Sequence, residues 1–323
     1  MLTRRFFLRC LSAAAATAAL PLPAFARDDD VTAETRLMMG TFVTVKTAGA
    51  SAAHAADAAG AAFERMAELV ESLTRHGSSP LGELNASGRL RDAPRPLLAV
   101  TRAASRMHGL TGGAFDPTVL PLLDLLERRS DGGPDPRELA EASELMGMNR
   151  VRVEGRDIVF ERRGMKMSLD GIAKGYVADE GARALREAGV KNFLIDAGGD
   201  IVAQGSKNGA PWRVAVENPR KHRGDAAYPA VISLAGQALA TSGVYENAFD
   251  ERGELNHLIN PATGRCAVLP GASALAPSAM EADALATALC VMAGPVEFME
   301  NVPRAACLIA LPDGTFRRSS RWG

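Results

Sequence analysis

Two oxygen-bearing side chains, Asp283 and Thr287, lie four residues apart in the segment 278–293, which is otherwise nearly free of charge. At about 100° per residue, this spacing places both oxygens on one face of a helix, one turn apart. A helix that is apolar nearly all round is usually buried, and a buried carboxylate is costly unless it has a partner or a metal. The residues alone leave two interpretations of Asp283: an acid favoured by the helix dipole, or a ligand of a hard cation.

The segment MSLDGIAKGY (167–176) is a second candidate, because it predicts a strand end, a tight turn and the start of a helix that ends near Ala188. Backbone N–H groups at such a turn and helix start favour phosphate, and Lys174 would add a positive charge. The spacing of a Walker loop is absent. From these residues alone, phosphate binding and a simple turn are equally compatible with the pattern.

Three further stretches place polar groups or open backbone beside turns. Asp196 and Asp200 flank a glycine turn, where aspartate commonly serves the turn itself. His257 stands just ahead of another turn, and such a histidine is more often structural than a general base. Residues 39–41, Met-Gly-Thr, interrupt a strand predicted over 36–47 at a point where the backbone could approach a ligand.

The elements that must position these groups show little regular alternation of strand and helix. Ser278 and Glu281, three residues apart, predict a capping box at the start of the candidate helix. Many short strands without strict alternation predict the α+β class, as a single large domain, and argue against a doubly wound parallel sheet. The other predicted elements are helices over 52–73, over 97–110 and from 136, a polar loop over 74–96, a hairpin over 151–160, strands at 193–196, 212–216, 231–234, 239–240 and 307–311, and a hydroxyl-rich turn at 241–243.

Composition excludes some classes of partner. The net charge is −1 and aromatic residues make up only 5%, which gives neither the basic field nor the stacking surfaces of a nucleic-acid-binding protein. There is also no polybasic patch that would hold the chain on a membrane. We therefore expect no nucleic-acid partner.

The first 26 residues have the pattern of a twin-arginine export signal. Arg4 and Arg5 precede a short alanine-rich apolar run over 10–22, and Ala24-Phe25-Ala26 is typical of a cleavage site. The run is too short to span a bilayer, so we expect a periplasmic chain, 27–323, with no stable membrane insertion.

The mature chain keeps three cysteines, Cys266, Cys290 and Cys307. One disulfide could form, but the pairing stays open, and Cys290 and Cys307 are expected in the core.

Beyond these local patterns, an ordered set of motifs covers the whole mature chain. The set resembles the ApbE family, the bacterial FAD:protein FMN transferases. The motifs are MGTFVTV (39–45), AFDPTV (114–119), LDGIAKGYVAD (169–179), LIDAGGDI (194–201), ATSGVYEN (240–247), HLINPATG (257–264) and APSAMEADALATAL (276–289).

The resemblance implies a T-fold-like α+β enzyme, with antiparallel or mixed sheets flanked by helices, that uses FAD as a substrate and Mg²⁺ as a cofactor. Such an enzyme moves the FMN half of FAD to a threonine of a target flavoprotein and releases AMP. The resemblance also implies that Asp283 and Thr287 hold the metal with the backbone carbonyl of Gly171, and that Asp283 and His257 are catalytic, His257 taking or orienting the threonine proton. The implied flavin-nucleotide contacts are Met39, His76, Ala114, Phe115, Asp116, Ser168, Lys174 and Ile259.

Two positions in the phosphate turn depart from the family pattern. The family usually has Asp where this chain has Ser168, and Gly, Ser or Asn where it has Asp170. A shift of two residues keeps a side chain on the same side of a strand, but a tight turn does not guarantee this. His76 replaces a residue that is often aromatic. Two alternatives therefore stay open: an FAD hydrolase of the same fold, and a non-catalytic periplasmic protein that delivers FAD to a reductase-maturation complex.

Overall fold

The scaffold is an antiparallel sheet of eight strands in a computed structural model that describes residues 31–128, 135–220, 228–250 and 253–323. The predicted export signal, 1–26, lies outside the described residues, and the part of the chain from Val31 onward forms one compact unit. The described helices are α1 (Ala52–Leu73), α2 (Pro80–Ser87), α3 (Arg95–Leu110), α4 (Leu120–Arg128), α5 (Pro136–Glu144), α6 (Ala173–Glu187), α7 (Ala279–Val291) and α8 (Pro295–Glu300). The described strands are β1 (Val31–Met38), β2 (Thr41–Ala48), β3 (Arg89–Leu90), β4 (Val151–Glu154), β5 (Asp157–Phe160), β6 (Phe193–Ala197), β7 (Ile201–Gln204), β8 (Trp212–Ala215), β9 (Val231–Leu234), β10 (Ala238–Gly243), β11 (Ile259–Asn260), β12 (Arg265–Cys266), β13 (Gly271–Ala276), β14 (Ala306–Ala310) and β15 (Phe316–Arg318).

The large sheet has the strand order β1-β2-β6-β7-β10-β13-β14-β15, and each neighbouring pair is antiparallel. On one face, Val43 and Val45 of β2 belong to the main hydrophobic core, which also takes the buried residues of α1, α6 and α7. On the other face, the β8–β9 ribbon contributes Trp212 and Leu234 to a smaller cluster. This arrangement confirms the predicted α+β class with helices flanking antiparallel sheets.

The N-terminal strand prediction was wrong in one respect, because residues 36–47 form a hairpin and not one interrupted strand. β1 and β2 pair along their whole length, and Met39 and Gly40 form the two-residue turn between them. Both turn residues have positive φ, 53° and 75°. Such a turn matches the right-handed twist of the paired strands.

The predicted polar loop over 74–96 was also wrong, since it contains α2. Ser79 caps this helix by accepting a hydrogen bond from the N–H of Gly82 at 2.9 Å, and Pro80 occupies the first turn. Leu81 and Leu84 are fully buried. Two buried leucines three residues apart therefore anchor a helix, although the surrounding Gly, Ser and Pro residues predicted a loop.

Three smaller outcomes concern the C-terminal half. The predicted turn at 241–243 is instead the end of β10, where the Thr241 hydroxyl lies 2.8 Å from that of Ser273 on β13. The last predicted strand, 307–311, appears as β14, and β15 follows it unpredicted. The three cysteines, 266, 290 and 307, are all free, and Cys290 and Cys307 are buried as expected.

Within the described residues, every helix is too short or too polar to cross a bilayer.

Candidate active site

Helix α7 starts under two caps, one local and one from another helix. The Ser278 hydroxyl accepts a hydrogen bond from the N–H of Glu281 at 3.2 Å, as predicted for this helix start. The carboxylate of Asp179, on α6, accepts the N–H groups of Ala279 and Met280, both at 2.9 Å. Sequence reasoning missed this second cap, because nothing local to Asp179 indicates which helix it meets.

Asp283 is 2% exposed, and its Oδ2 accepts the N–H of Gly175, at the start of α6, at 3.1 Å. Burial raises the pKa of Asp283 well above its usual range, and repulsion by the Asp200 carboxylate adds to this effect. The positive charge of Lys174 acts in the opposite direction. Asp283 therefore lies among other charged groups and is not simply an acid facing the dipole of its own helix.

Lys174 and Asp200 form an ion pair, with 2.8 Å between Nζ and Oδ2. The Lys174 side chain is 26% exposed and that of Asp200 only 1%. The interpretation of Asp200 as a turn residue is wrong; Asp196 serves the turn, by accepting the N–H of Gly199 at 3.0 Å. Burial would lower the pKa of Lys174, but the charges of Asp200, Asp283 and Glu246 outweigh it, so the pKa is raised and the ammonium stays protonated.

The glycine turn before α6 lies directly against α7 at Thr287. A Cβ placed on Gly171 would come within 2.9 Å of the Thr287 hydroxyl oxygen and 3.5 Å of the Phe115 ring. The Thr287 hydroxyl also lies 3.3 Å from that of Ser242 on β10. Asp283, Thr287 and Gly171 are thus contributed by two elements that meet at this contact.

The donor set at this contact suits a hard cation. Among the described residues, no group of three or more His, Cys, Asp or Glu side chains is arranged to hold a metal ion. A carboxylate, a hydroxyl and a backbone carbonyl are nevertheless oxygen donors of the kind that Mg²⁺ takes, usually together with water or substrate phosphate. Thr287 is half-buried, and the absence of a side chain at Gly171 lets the turn approach its hydroxyl closely. The residues present therefore fit Mg²⁺.

The two departures in the turn place their side chains differently. Ser168 is buried, its N–H donates to the carbonyl of Pro117 at 2.8 Å, and its hydroxyl accepts the N–H of Asp170 at 3.1 Å. The Asp170 carboxylate is 63% exposed and pairs with Arg75, whose Nε lies 3.0 Å from Oδ2. The acid at 170 therefore does not replace an acid at 168, since the two side chains lie in different surroundings.

Asn85 fixes the backbone that leads into this turn, where the predicted strand end was wrong because residues 165–169 belong to no strand. Its side-chain amide accepts the N–H of Met167 at 2.8 Å and donates to the carbonyl of Met167 at 2.9 Å. His76, a predicted flavin contact, is exposed and follows Arg75, the residue that holds Asp170. The misassigned loop 74–96 thus reaches the turn at two points, Asn85 and Arg75.

His257 lies close enough to Lys174 and Asp170 for their charges to affect its pKa. Its Nδ1 is 3.3 Å from the carbonyl oxygen of Asn247. Burial lowers the pKa of His257, with Lys174 acting in the same direction and Asp170 against it. The imidazole is therefore neutral near pH 7. The neighbouring strand residue Ile259 is buried, so its side chain packs in the cluster around Leu122.

The remaining predicted flavin contacts lie in two loops. Met39 is half-buried in the β1–β2 turn, next to Thr41, whose side chain a Cβ on Gly198 would overlap. Ala114 is half-buried, and Phe115 is buried beneath Gly171.

The Asp116 carboxylate serves the fold. It accepts the N–H and hydroxyl of Thr118, at 2.8 and 2.5 Å, and the N–H of Met148 at 3.1 Å. Its Oδ2 also lies 3.5 Å from Nδ1 of His108. These contacts account for the burial of this carboxylate. A contact between Asp116 and flavin stays a prediction.

Comparison with known proteins gives one consistent result. The model of the ApbE family matches residues 39–309. Two relatives named FAD:protein FMN transferase are similar to this chain: one from Klebsiella pneumoniae, 30% identical over 82% of this chain and 79% of its own length, and one from Vibrio cholerae, 36% identical over 60% of each chain. The match thus spans less than two thirds of the Vibrio relative.

A solved structure extends the likeness to the fold. The ApbE protein of Thermotoga maritima is 29% identical to this chain, with a TM-score of 0.81, over 90% of this chain and 97% of the other. The likeness agrees with the arrangement of antiparallel sheets and helices described above. The residues that the family model matches, 39–309, include both helices and the turn that form the candidate site.

Proposed function

The chain belongs to the ApbE family, and we propose that it is an Mg²⁺-dependent FAD:protein FMN transferase. In this reaction the FMN moiety of FAD passes to a threonine hydroxyl of a target flavoprotein, and AMP is released. The observation that carries the proposal is the contact of Asp283 and Thr287 on α7 with the Gly171 turn and with the start of α6, which carries Lys174. It supports a site with oxygen ligands for a cation beside a positive charge for phosphate.

The charge balance of the site supports the use of a cation. Asp200 and Asp283 bring two buried carboxylates, whereas Lys174 brings one ammonium that is already paired. When both carboxylates are ionised, a pyrophosphate approaching these groups would meet net negative charge. Mg²⁺ held by Asp283, the Thr287 hydroxyl and the Gly171 carbonyl would supply the missing positive charge and stabilise the phosphate oxygens during transfer.

The residues of the chain then have distinct tasks. Lys174 and the backbone of the turn would hold the non-bridging oxygens of the pyrophosphate. When Nδ1 of His257 donates to the carbonyl of Asn247, Nε2 is the nitrogen left to accept the proton of the incoming threonine. The threonine oxygen bonds to the phosphorus of the FMN half, the bond from that phosphorus to the bridging oxygen breaks, and AMP leaves with that oxygen.

The place of action and the partner follow from the sequence. The twin-arginine pattern over 1–26 supports export to the periplasm, with 27–323 as the flavin transferase domain. The partner is a flavoprotein that bears an acceptor threonine. Nothing in the charge pattern supports a nucleic-acid partner, and no stable membrane insertion is proposed.

The test is transfer of flavin to a candidate flavoprotein domain, read by in-gel flavin fluorescence. Protein stripped with EDTA and returned to Mg²⁺ should label the acceptor, whereas Asp283→Ala should not. Glu281→Ala is the matched control, because Glu281 is exposed on the same helix and its side chain is outside the site. Full labelling by Asp283→Ala would contradict the proposal.

The same experiment separates the two alternatives. Steady formation of AMP from FAD without any acceptor would identify a hydrolase. Tight FAD binding without a labelled band for any acceptor would identify a delivery protein. This alternative stays open because Ser168 stands where the family usually has an acid.

A further inference from the structure

Lys174 lies between two buried carboxylates but contacts only one of them. Its Nζ is 2.8 Å from Oδ2 of Asp200, at the β6–β7 turn. Neither oxygen of Asp200 accepts a hydrogen bond from any other group in the described part of the chain, so the ammonium is its one close partner there. The charge of Asp283 also raises the pKa of Lys174, less than that of Asp200 and more than that of Glu246.

Asp283 is the carboxylate to which Lys174 would turn if Asp200 were neutral. Among the described residues, the hydrogen bond that Asp283 accepts comes from Gly175 and goes to Oδ2. Its other oxygen is therefore available to a donor. A lysine ammonium is a compact charge on a flexible stem of four carbons, and a buried carboxylate without a full set of partners attracts it strongly.

We propose that Asp200 is a positioning residue that holds the Lys174 ammonium away from Asp283 and so keeps Asp283 available to a divalent cation. The inference rests on the metal site of the proposed function. It gives Asp200 a role without making it a ligand. The Asp200 side chain comes from the β6–β7 turn, whereas the proposed ligands belong to α7 and to the turn before α6.

The test measures binding of Mn²⁺, in place of Mg²⁺, to metal-free protein without FAD, by electron paramagnetic resonance. Four proteins form a double-mutant cycle: the wild type, Asp200→Asn, Lys174→Gln and the double variant. We expect D200N to weaken Mn²⁺ binding about tenfold in the presence of Lys174, and to change it by less than about threefold when Lys174 is Gln. Asp196→Asn is the matched control, because Asp196 faces the backbone of the same turn, and it should bind Mn²⁺ like the wild type.

The cycle distinguishes positioning from two simpler roles of Asp200. If Asp200 is itself a ligand, or acts only through its negative charge at a distance, D200N weakens Mn²⁺ binding equally in both backgrounds, and the proposal is overturned. Unchanged Mn²⁺ binding by D200N, or no binding by the wild type, also overturns it. Thermal unfolding checks that each variant folds, and Asp200→Ser replaces D200N in the cycle if the asparagine variant does not.

The outcome is independent of the transfer assay. A wild type that labels an acceptor while the cycle is additive would refute only the role of Asp200. A wild type that binds Mn²⁺ with the expected coupling but labels no acceptor would leave the role of Asp200 standing and refute the transferase.

Discussion

The carboxylate of Asp179, on α6, accepts the backbone N–H of Ala279, the first residue of α7, at 2.9 Å. Its second oxygen accepts the N–H of Met280 at the same distance. The α6 helix begins just after the Gly171 turn, and α7 carries Asp283 and Thr287. This pair of hydrogen bonds therefore ties the element that would hold phosphate to the element that would hold the metal.

Asp179→Ala should lower the free energy of unfolding by about 1–3 kcal/mol, because two N–H groups at the start of α7 lose their acceptor. Chemical denaturation at pH 7 measures the change. Glu187→Ala, at the exposed end of α6, removes only a surface ion pair with Arg183 and should change stability by less than about 1 kcal/mol. Equal stability of the two variants would show that the tertiary cap is unimportant.

The same carboxylate should give stability a distinct dependence on pH. Burial raises the pKa of Asp179 from its usual 3.8 to about 6, although the hydrogen bonds from Met280 and Ala279 partly oppose this. Since the folded state holds this proton more tightly than the unfolded state, the contribution is fully present below about pH 4 and is lost as pH rises to about 6.

Asp179→Asn removes this titration. The stability of the wild type relative to the variant should therefore fall by on the order of 3 kcal/mol between pH 4 and pH 7. Urea unfolding of both proteins across this range measures the difference. A difference that stays constant with pH, or that grows in favour of the wild type, would show that the pKa of Asp179 is not raised.

The sequence predicted local features well and tertiary pairings poorly. The N-cap at Ser278, which is one half of the predicted capping box, and the shared face of Asp283 and Thr287 follow from spacing within one helix, so a single segment contains the information. The pairing of Lys174 with Asp200 depends on how α6 packs on the sheet, and nothing in either segment specifies it. The glycine turn between Asp196 and Asp200 predicted that both acids serve the turn. This was wrong for Asp200, because Asp196 is the residue whose side chain bonds the turn.

The turn at 168–170 shows a second limit. An acid shifted by two residues stays on the same side only in a regular strand. Here the backbone turns, so the mostly exposed Asp170 pairs with Arg75 while Ser168 is buried. Arg75 lies in a stretch that composition alone presents as an unstructured loop. The contacts of Arg75 and Asn85 could not be predicted from the sequence without α2, the helix that the buried Leu81 and Leu84 anchor.

Gly171→Ala should weaken metal binding, and the overpacking should also lower the free energy of unfolding by about 1–3 kcal/mol. The new methyl group would come within 2.9 Å of the Thr287 hydroxyl, and the β-branched side chain of Thr287 has few other rotamers to adopt. Displacing that hydroxyl should weaken Mn²⁺ binding by about tenfold or more. Gly60→Ala in α1 is the matched control, since a Cβ there has nothing within 4 Å. Identical Mn²⁺ binding by both variants would argue against Thr287 as a ligand.

His257→Gln should lower the rate of flavin transfer by about 100-fold, because glutamine cannot accept the threonine proton. The wild-type rate should fall as pH drops through the lowered pKa of His257, below its usual 6.5, since only the neutral imidazole accepts a proton. The variant should lose this acidic limb of the profile while its binding of FAD stays within about threefold of the wild type. Rates measured at saturating FAD from pH 4.5 to 8 test this, with His54→Gln as control, because His54 is exposed at the start of α1. A variant that retains the acidic limb would assign that titration to another group and leave His257 a structural residue.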